Sequence, residues 1–284
     1  MRAAIFSYLR SFGHAAVAAC LIFPGAACAA EESNKYLVLC YHSIPERYQG
    51  DPMSISAVRF VEQLEWLREQ GYTAINLDQV LAAKAGKTAL PPKSFLVTFD
   101  DGYEDFYTNV FPLLKLYKVP AIMALVGKWT EDGVPSKNET DPHFSKQRFL
   151  TWAQIQEMTS SGLIEIASHS YDLHHGVLGN PQGNTQPAAV TLQYHSALNQ
   201  YETLEQRRAR IRTDLEKNSR TIERHLGKRP RTMVWPYGAY DRIGIEEAAR
   251  IGMSINFTLD AGRAAVGNTE IVPRILVDRE IPLS

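Results

Sequence analysis

Two adjacent carboxylates, Asp100 and Asp101, stand directly after the apolar run 95–99 and directly before Gly102. The run is short, apolar and partly β-branched, which indicates a buried strand. In parallel α/β folds, the carboxyl ends of the strands are where chemistry takes place. Two acids before a glycine are also common in plain turns and helix caps, so this pair alone leaves both interpretations open.

Histidines stand at comparable places. His42 and His169 each lie at the end of an apolar run, and His174 and His175 follow a few residues later. Two histidines and one carboxylate make a metal site with open positions for water and substrate. A second carboxylate can then accept a proton from water, and a further histidine can protonate a leaving group. Single histidines at such places are more often ordinary boundary residues, but their coincidence with the acids favours a functional site.

The elements that must position these residues alternate between strand and helix patterns, which predicts one α/β domain. The predicted strands are 36–41, 72–77, 95–99, 121–126, 163–167, 232–235, 255–259 and 271–277. The predicted helices are 56–70, 78–86 (capped by Asp78), 103–117, 151–162, 203–226 and 241–250. About seven or eight such strands favour a barrel over an open sheet, and the acids and histidines would then share one rim.

Two long segments show neither the helical nor the strand periodicity of apolar residues. Residues 128–148 are polar and contain Gly133 and Pro135, which predicts a surface loop. Residues 171–202 are rich in Gly, Asn, Gln and Pro, and irregular segments of this length inside a domain are usually functional. The helix predicted after them carries a basic cluster that we expect to be its solvent-exposed face: Arg207, Arg208, Arg210 and Arg212.

The N-terminus has the pattern of an export signal. Arg2 and Arg10 form a basic region, and the mostly small and apolar stretch 11–23 that follows is too short to span a bilayer. Residues 27–29 spell an Ala-x-Ala cleavage site. We therefore expect a signal peptide at 1–29 and a mature protein in the periplasm or at the cell surface.

The cysteines and the net charge limit which disulfides, lipid anchors and binding partners are expected. Cleavage after residue 29 leaves only Cys40, which excludes an intrachain disulfide and is expected to be a small buried core residue. A lipobox-like sequence ends at Cys20, and Cys28 is a weaker candidate, so a lipid anchor to a membrane is an alternative to soluble export. The net charge of −1 gives no electrostatic case for binding nucleic acid.

Three short motifs resemble those of the polysaccharide deacetylases, carbohydrate esterase family 4, with its NodB-like domain. Segment 98–102 (Thr-Phe-Asp-Asp-Gly) is similar to the first motif, 167–170 (Ala-Ser-His-Ser) to the second and 235–238 (Trp-Pro-Tyr-Gly) to the third. The similarity covers about 36–277, within a domain expected at 36–284. It implies a distorted (β/α)7-type barrel and a metal-dependent hydrolase that removes N-acetyl groups from an aminosugar polymer.

Three departures from the family pattern indicate one branch of it. His169 and His174, the candidate ligands, are five residues apart, where most members have four. Val234 stands where most members have an arginine, and His42 precedes the acids where most members place a histidine near the C-terminus. These features are similar to the biofilm branch, the poly-β-1,6-N-acetyl-D-glucosamine N-deacetylases of PgaB and IcaB type. Deacetylation of peptidoglycan or chitin is the alternative.

The resemblance also implies roles for individual residues. Asp101, His169 and His174 would ligate a divalent metal ion, for which zinc, iron, cobalt and nickel are all suitable. Asp100 would be the general base toward the attacking water, and His42 the general acid toward the departing sugar amine.

Two further residues would line the substrate and oxyanion side of the site. The backbone N–H of Tyr237 would help to hold the oxyanion, with Trp235 beside it. His175 is the alternative ligand if the loop has a different register. The sequence identifies no partner that would orient Asp100 in place of the missing arginine.

The expected partner is an N-acetylglucosamine polymer, and a separate hydrolase domain or an export machinery is a further expected partner, since Gram-negative relatives of this branch usually carry a glycoside hydrolase domain. Two other classes of protein remain as alternatives. A glycosidase with paired carboxylates leaves the histidines unexplained. A carbohydrate-binding module leaves the complete set of acids and histidines unexplained.

Overall fold

The computed structural model describes residues 34–48, 50–133 and 148–278. The predicted signal peptide at 1–29, both lipid-anchor candidates and residues 279–284 of the predicted domain lie outside the described residues. Within the described ranges, no helix combines the length and the apolar composition that crossing a bilayer requires.

A single curled sheet organises the described residues. The strands are β1 (Lys35–Tyr41), β2 (Thr73–Ala74), β3 (Ser94–Phe99), β4 (Ala121–Leu125), β5 (Ile164–Ser168), β6 (Gly176–Leu178), β7 (Thr185–Pro187), β8 (Tyr194–His195), β9 (Gln200–Tyr201), β10 (Thr232–Val234), β11 (Ile255–Phe257), β12 (Ala264–Ala265) and β13 (Ile275–Leu276). Nine of them form the sheet in the order β11-β10-β5-β4-β3-β1-β12, with β2 beside β3 and β13 beside β1. The strands from β11 to β1 are parallel, so their carboxyl ends meet at one rim.

Six helices of the described residues follow the predicted order, and one more lies where a loop was predicted. They are α1 (Ala57–Glu69), α2 (Leu77–Lys84), α3 (Phe111–Tyr117), α4 (Gly127–Asp132), α5 (Trp152–Ser160), α6 (Leu204–Leu226) and α7 (Arg242–Arg250). A π-helical turn at Phe106–Val110 leads into α3, which has Pro112 in its first turn, so the predicted helix 103–117 begins late. The cap of α2 is Asn76 and not Asp78, because the Asn76 side chain completes a capping box.

The predicted surface loop 128–148 is partly helical. Helix α4 extends to Asp132 and ends at Gly133, which adopts the left-handed conformation favoured by glycine at a helix C-terminus. Residues 134–147 lie outside the described residues, so the remainder of that prediction stays a prediction.

The sheet curls until the segment 269–277 hydrogen-bonds to both β11 and β1. Val272 exchanges main-chain hydrogen bonds with Asn256 and Thr258, at 2.8 and 3.0 Å, and Val277 donates to the carbonyl of Cys40 at 2.8 Å. Only β13 within this segment pairs as a regular strand, so the predicted strand 271–277 is too long. The predicted distorted (β/α)7-type barrel is confirmed as a curled sheet that this segment closes.

Strand β3 is buried along its whole length and sets the direction of the acids that follow it. Phe95, Val97 and Phe99 pack in a cluster shared with α1, α3 and α5, whereas Leu96 packs in the cluster inside the curled sheet. Successive side chains of a strand alternate between its faces, so Asp100 points inward like Leu96. A one-residue slip would take Phe95 and Phe99 out of the cluster that they share with the helices, and burial of each aromatic side chain is worth about 1.5–3 kcal/mol, so this packing fixes the register.

The basic cluster of α6 is not the solvent-exposed face that was predicted, because of its four arginines only Arg212 is exposed. Arg207 is buried and donates to a main-chain carbonyl of segment 171–202. Arg210 donates to two more carbonyls of that segment and pairs with Glu202. The other two arginines of the cluster pair with the buried carboxylate of Glu247. Regular structure in the segment is limited to the short hairpins β6–β7 and β8–β9 and a 3-10 turn at Ser196–Leu198. The guanidinium groups satisfy carbonyls that this regular structure leaves without partners.

Candidate metal centre and active site

A reversal of the chain directly after β3 separates the two adjacent carboxylates. Asp101 and Gly102 both have left-handed backbone, with φ of +76° and +80°. This conformation costs a residue other than glycine about 1–2 kcal/mol, and strain of this kind is concentrated at functional sites. Asp100 remains inside the barrel, and Asp101 turns toward the histidines of the rim.

Asp101, His169 and His174 converge on one point. The Oδ1 atom of Asp101 lies 3.4 Å from Nε2 of His169 and 3.4 Å from Nε2 of His174. All three side chains are buried, and Oδ1 of Asp101 has no hydrogen-bond partner. An unsatisfied buried carboxylate oxygen is costly, so a ligand that is not part of the chain is expected beside it.

The spacing of these three atoms fits a divalent cation. Ligand distances of about 2.0–2.2 Å in a tetrahedral zinc site place neighbouring ligand atoms about 3.4 Å apart. One ligand atom from each residue lies within 4.8 Å of the others, and all three residues are buried. His175 is not a member of this group, so the geometry favours His174 as the second histidine.

A hydrogen bond fixes the tautomer of His169. Its Nδ1 atom lies 2.7 Å from the carbonyl oxygen of Val234. A carbonyl only accepts, so Nδ1 carries the proton and the lone pair of Nε2 faces Asp101. Val234, which stands at the position of the family's arginine, thus contributes through its main chain.

The environment of His174 keeps its imidazole neutral. Its ring centre lies 4.8 Å from that of Trp129 and 4.4 Å from that of Tyr237. Burial lowers the pKa of His174 to about 4, although Asp101 opposes this shift. The pKa of Asp101 is lowered to about 2, because the neighbouring histidines outweigh the opposite effect of burial. A neutral imidazole and an ionised carboxylate are the forms that bind a metal ion.

Asp100 has a different partner, which sequence reasoning missed. Arg274 donates to both carboxylate oxygens of Asp100, at 2.7 and 2.8 Å, and also to Oγ1 of Thr98 at 2.9 Å. Burial by itself would raise the pKa of Asp100, but the Arg274 guanidinium holds it well below its usual range. Arg274 supplies the orienting contact for which the sequence identified no residue. The sequence feature that could have indicated this role is that Arg274 is the single charged residue within the apolar stretch 271–277.

His42 and Cys40 adjoin Asp100 on the side of β1. One ligand atom from each of Cys40, His42 and Asp100 lies within 4.8 Å of the others, and the Cys40 thiol lies 3.5 Å from Oδ2 of Asp100. Cys40 is buried as predicted, and burial raises the pKa of its thiol. Arg274 already places a positive charge on Asp100, so a cation is less favourable here than at Asp101.

The third motif contributes Tyr237 but not the side chain of Trp235. Tyr237 has φ of +59° and is 47% exposed, and its ring lies beside that of His174. The indole of Trp235 is fully buried, and its Nε1 donates to Oδ1 of Asn256 at 3.1 Å. The expectation that Trp235 lines the substrate site is therefore corrected, because its ring packs against α7, where a Cβ on Gly244 would lie 2.6 Å from it.

Tyr103 is a further contact of the metal group that the sequence did not indicate. Burial and a hydrogen bond to Asp101 raise the pKa of its hydroxyl well above the ordinary value. The hydroxyl is thus protonated and can donate to the carboxylate of Asp101. Donors of this kind orient the ligands of metal sites.

The family comparison covers most of these residues. A model of the polysaccharide deacetylase family matches residues 87–255. This segment contains both aspartates, His169 and His174, whereas His42 and Arg274 lie outside it.

Solved structures support the same assignment. A de-N-acetylase from Aggregatibacter actinomycetemcomitans is 37% identical with a TM-score of 0.79, over 87% of this chain and 97% of that chain. The deacetylase domain of BpsB from Bordetella bronchiseptica is 38% identical with a TM-score of 0.76, over 87% and 97% of the two chains.

A sequence relative from Escherichia coli matches most of this chain. The poly-β-1,6-N-acetyl-D-glucosamine N-deacetylase of Escherichia coli strain K12 is 34% identical over 248 residues, which are 86% of this chain and 37% of the relative. The chain thus spans little more than a third of that relative's length. With the family model matched over more than half of the sequence and the ligand geometry in place, this chain belongs to the polysaccharide deacetylase family.

Proposed function

We propose that this protein is a metal-dependent N-deacetylase whose substrate is poly-β-1,6-N-acetyl-D-glucosamine. The observation that carries the proposal is the division of the two adjacent aspartates. Asp101 faces two histidines with an oxygen that has no hydrogen-bond donor, and Asp100 is held by Arg274. One carboxylate is thus available to a metal ion and the other to a proton.

A divalent ion held by Asp101, His169 and His174 would lower the pKa of a water molecule and polarise the acetamide carbonyl. Asp100 accepts the proton as the water oxygen attacks the carbonyl carbon. Arg274 keeps Asp100 ionised and fixes its orientation, while each carboxylate oxygen retains a lone pair for the water. A general base positioned in this way typically contributes about 10²–10⁴-fold to the rate.

His42 completes the proton transfers. It lies beside Asp100 at the same rim and donates a proton to the sugar nitrogen as the C–N bond breaks. The products are acetate and a free amine on the polymer. The main-chain N–H of Tyr237 is proposed to stabilise the oxyanion, an interaction typically worth about 2.7–4 kcal/mol.

The identity of the metal is part of the proposal. Two imidazoles and one carboxylate are suitable ligands for zinc, iron, cobalt or nickel. We propose one of these ions, and a series of activity measurements on protein reloaded with each metal identifies it.

Two features favour the β-1,6-linked polymer over peptidoglycan or chitin. The candidate general acid His42 directly follows the first strand, and the orienting Arg274 comes from the segment that closes the barrel and not from position 234. The E. coli relative that is 34% identical is named for the β-1,6 polymer. Acetate release from matched β-1,6 and β-1,4 oligomers discriminates between the two substrates.

We further propose that residues 1–29 direct export and that the enzyme acts in the periplasm or at the cell surface. There, free amines make a neutral exopolysaccharide cationic and change its adhesion in a biofilm. The mass of the mature N-terminus tests this: a chain that begins at Ala30 supports soluble export, and a lipid-modified Cys20 supports an anchor. A hydrolase domain or an export machinery acting on the same polymer is the proposed partner.

The activity is tested with defined β-1,6 N-acetylglucosamine oligomers. We expect acetate release from the metal-loaded protein, its loss after complete removal of the metal and its return on reloading. Undiminished acetate release from protein verified to be metal-free would contradict the proposal.

A further inference from the structure

The segment between the two candidate ligand histidines has no regular secondary structure, yet all four of its main-chain amides have partners. Ser170 donates to Oγ of Ser168 at 3.3 Å, Tyr171 to Oδ1 of Asp214 at 2.8 Å, Asp172 to Oδ2 of Asp214 at 2.8 Å, and Leu173 to Oγ of Ser170 at 3.0 Å. Each acceptor is a side-chain oxygen, and two of the four belong to one carboxylate on α6. The shape of segment 170–173 therefore depends on side chains.

One helical turn after Asp214, α6 makes a second attachment. Nδ2 of Asn218 donates to Oγ of Ser168 at 2.8 Å and to the carbonyl of Leu125 at 3.1 Å. Residues i and i+4 lie on one face of a helix, so the same face of α6 holds Ser168, just before the segment, and two main-chain amides within it. Asn218 is fully buried, and a Cβ on Gly127 would lie 2.2 Å from its Oδ1, so the packing leaves no room for movement.

The position of His174 depends on this attachment. His169 directly follows β5, its main-chain amide donates to the carbonyl of Leu125, and its Nδ1 is held by the carbonyl of Val234. The Nδ1 atom of His174 has no hydrogen-bond partner, so no bond from its own ring sets its orientation. Its placement opposite Asp101 is determined by ring packing and by the segment that precedes it.

We infer that Asp214 is a positioning residue of the metal centre, whose carboxylate holds the amides of segment 170–173 so that Nε2 of His174 faces Asp101. The inference rests on the proposed metal-dependent function. His169 and His174 are five residues apart, where most family members have four. The inference explains how this longer loop is held in place, because α6 stabilises it from outside the site. The hydrogen bonds that Asp214 accepts come from the amides of Tyr171 and Asp172, so it acts on His174 through the segment that precedes it.

The test is the affinity of the full chain for Zn²⁺, measured by competition with a chromophoric chelator in the absence of substrate. Asp214→Ala leaves two amides without acceptors, and we expect the Zn²⁺ dissociation constant to rise by about 10–100-fold, the usual effect of losing an outer contact of a metal ligand. Asp214→Asn keeps one acceptor oxygen, so its loss should be smaller. The visible spectrum of Co²⁺-loaded protein should change in the same order.

Glu216→Gln is the matched control, because Glu216 lies on the same helix and its carboxylate pairs with Arg220 and Arg229 at the protein surface. It should bind Zn²⁺ like the parent. Saturating Zn²⁺ should restore acetate release in Asp214→Ala, which a general loss of folding would not allow. Parent-like Zn²⁺ affinity and Co²⁺ spectra in a folded Asp214→Ala variant overturn the inference.

If Asp214→Ala does not fold, the comparison of Asp214→Asn with the parent and Glu216→Gln decides in the same way. The affinity measurement also separates this inference from the proposed function. Weakened Zn²⁺ binding in the variants, with a parent that releases no acetate, sustains the inference and refutes the deacetylase activity.

Discussion

The two neighbouring aspartates at the end of β3 have opposite surroundings. Both oxygens of Asp100 are bonded to the guanidinium of Arg274, whereas Oδ1 of Asp101 faces two imidazoles and has no hydrogen-bond donor. Asp100 is thus satisfied by the chain, and Asp101 is left open to a ligand from outside it.

The difference shows how adjacent identical side chains acquire separate tasks. The pKa of each carboxyl group is lowered against the effect of burial, by Arg274 for Asp100 and by the histidines for Asp101. A guanidinium remains bound and keeps its carboxylate ionised, whereas neutral imidazoles offer lone pairs to a cation. The four predictions below test this division.

The largest effect is expected from Asp101→Ala. The variant loses the only anionic member of the triad, so we expect Zn²⁺ binding to fall below detection in the competition assay. Acetate release should fall by at least about 10³-fold, since metal ions contribute several kcal/mol and each 1.36 kcal/mol is tenfold in rate. Retention of parent-like activity would break the assignment of Asp101.

Asp100→Asn should separate chemistry from metal binding. The variant loses the proton acceptor, and we expect acetate release to fall by about 10²–10⁴-fold. Zn²⁺ affinity should stay within a few-fold of the parent, because Asp100 is not a member of the triad. A loss of Zn²⁺ as severe as that of Asp101→Ala would mean that both carboxylates bind the ion.

Arg274→Met tests the other half of the comparison through stability. It leaves a buried carboxylate without its cation, so we expect the free energy of unfolding at neutral pH to fall by about 3–5 kcal/mol. The lowered pKa of Asp100 contributes stability above its unfolded value of about 3.9, and this contribution is lost as the pH falls.

The difference between the parent and Arg274→Met should therefore shrink on acidification. Urea denaturation of both proteins at neutral and acidic pH measures it. Arg274→Lys, which keeps the charge but not the paired hydrogen bonds, is the matched control and should lie between them. Equal stabilities at neutral pH would show that Asp100 does not depend on Arg274.

The smallest effect is a shift in the pH dependence of Zn²⁺ binding. The pKa of His169 is raised because Asp100 and Asp101 outweigh the effect of burial, so His169 takes up a proton first as the pH falls. Protonation competes with the metal, and we expect affinity to weaken on acidification. Asp100→Asn removes one raising charge and should move this onset to lower pH. An unchanged onset in calorimetric titrations of the two proteins would contradict the electrostatic coupling.

Much of this site could be predicted because it depends on local patterns. The run 95–99 has the apolar pattern of a buried strand, and the acids follow it in sequence as they do in space. His169 and His174 were predicted from a motif and its spacing, and the structure brings them together.

The parts that escaped prediction depend on long-range contacts. Arg274 reaches Asp100 across 174 positions of the chain, and no period or motif indicates such a pair. Arg207 and Arg210 belong to a basic cluster typical of an exposed helix face, but both donate hydrogen bonds to main-chain carbonyls of segment 171–202. Trp235 belongs to a recognised motif, yet only packing against α7 shows that its ring is buried.

The central claim is most directly tested by anomalous diffraction at the zinc edge from crystals of Zn²⁺-loaded protein. We predict one ion bonded to Asp101, His169 and His174, with Asp100 still paired to Arg274 and outside bonding distance. Two results would contradict the account: an ion bonded to Asp100 together with Cys40 and His42, or an ion shared between the two aspartates.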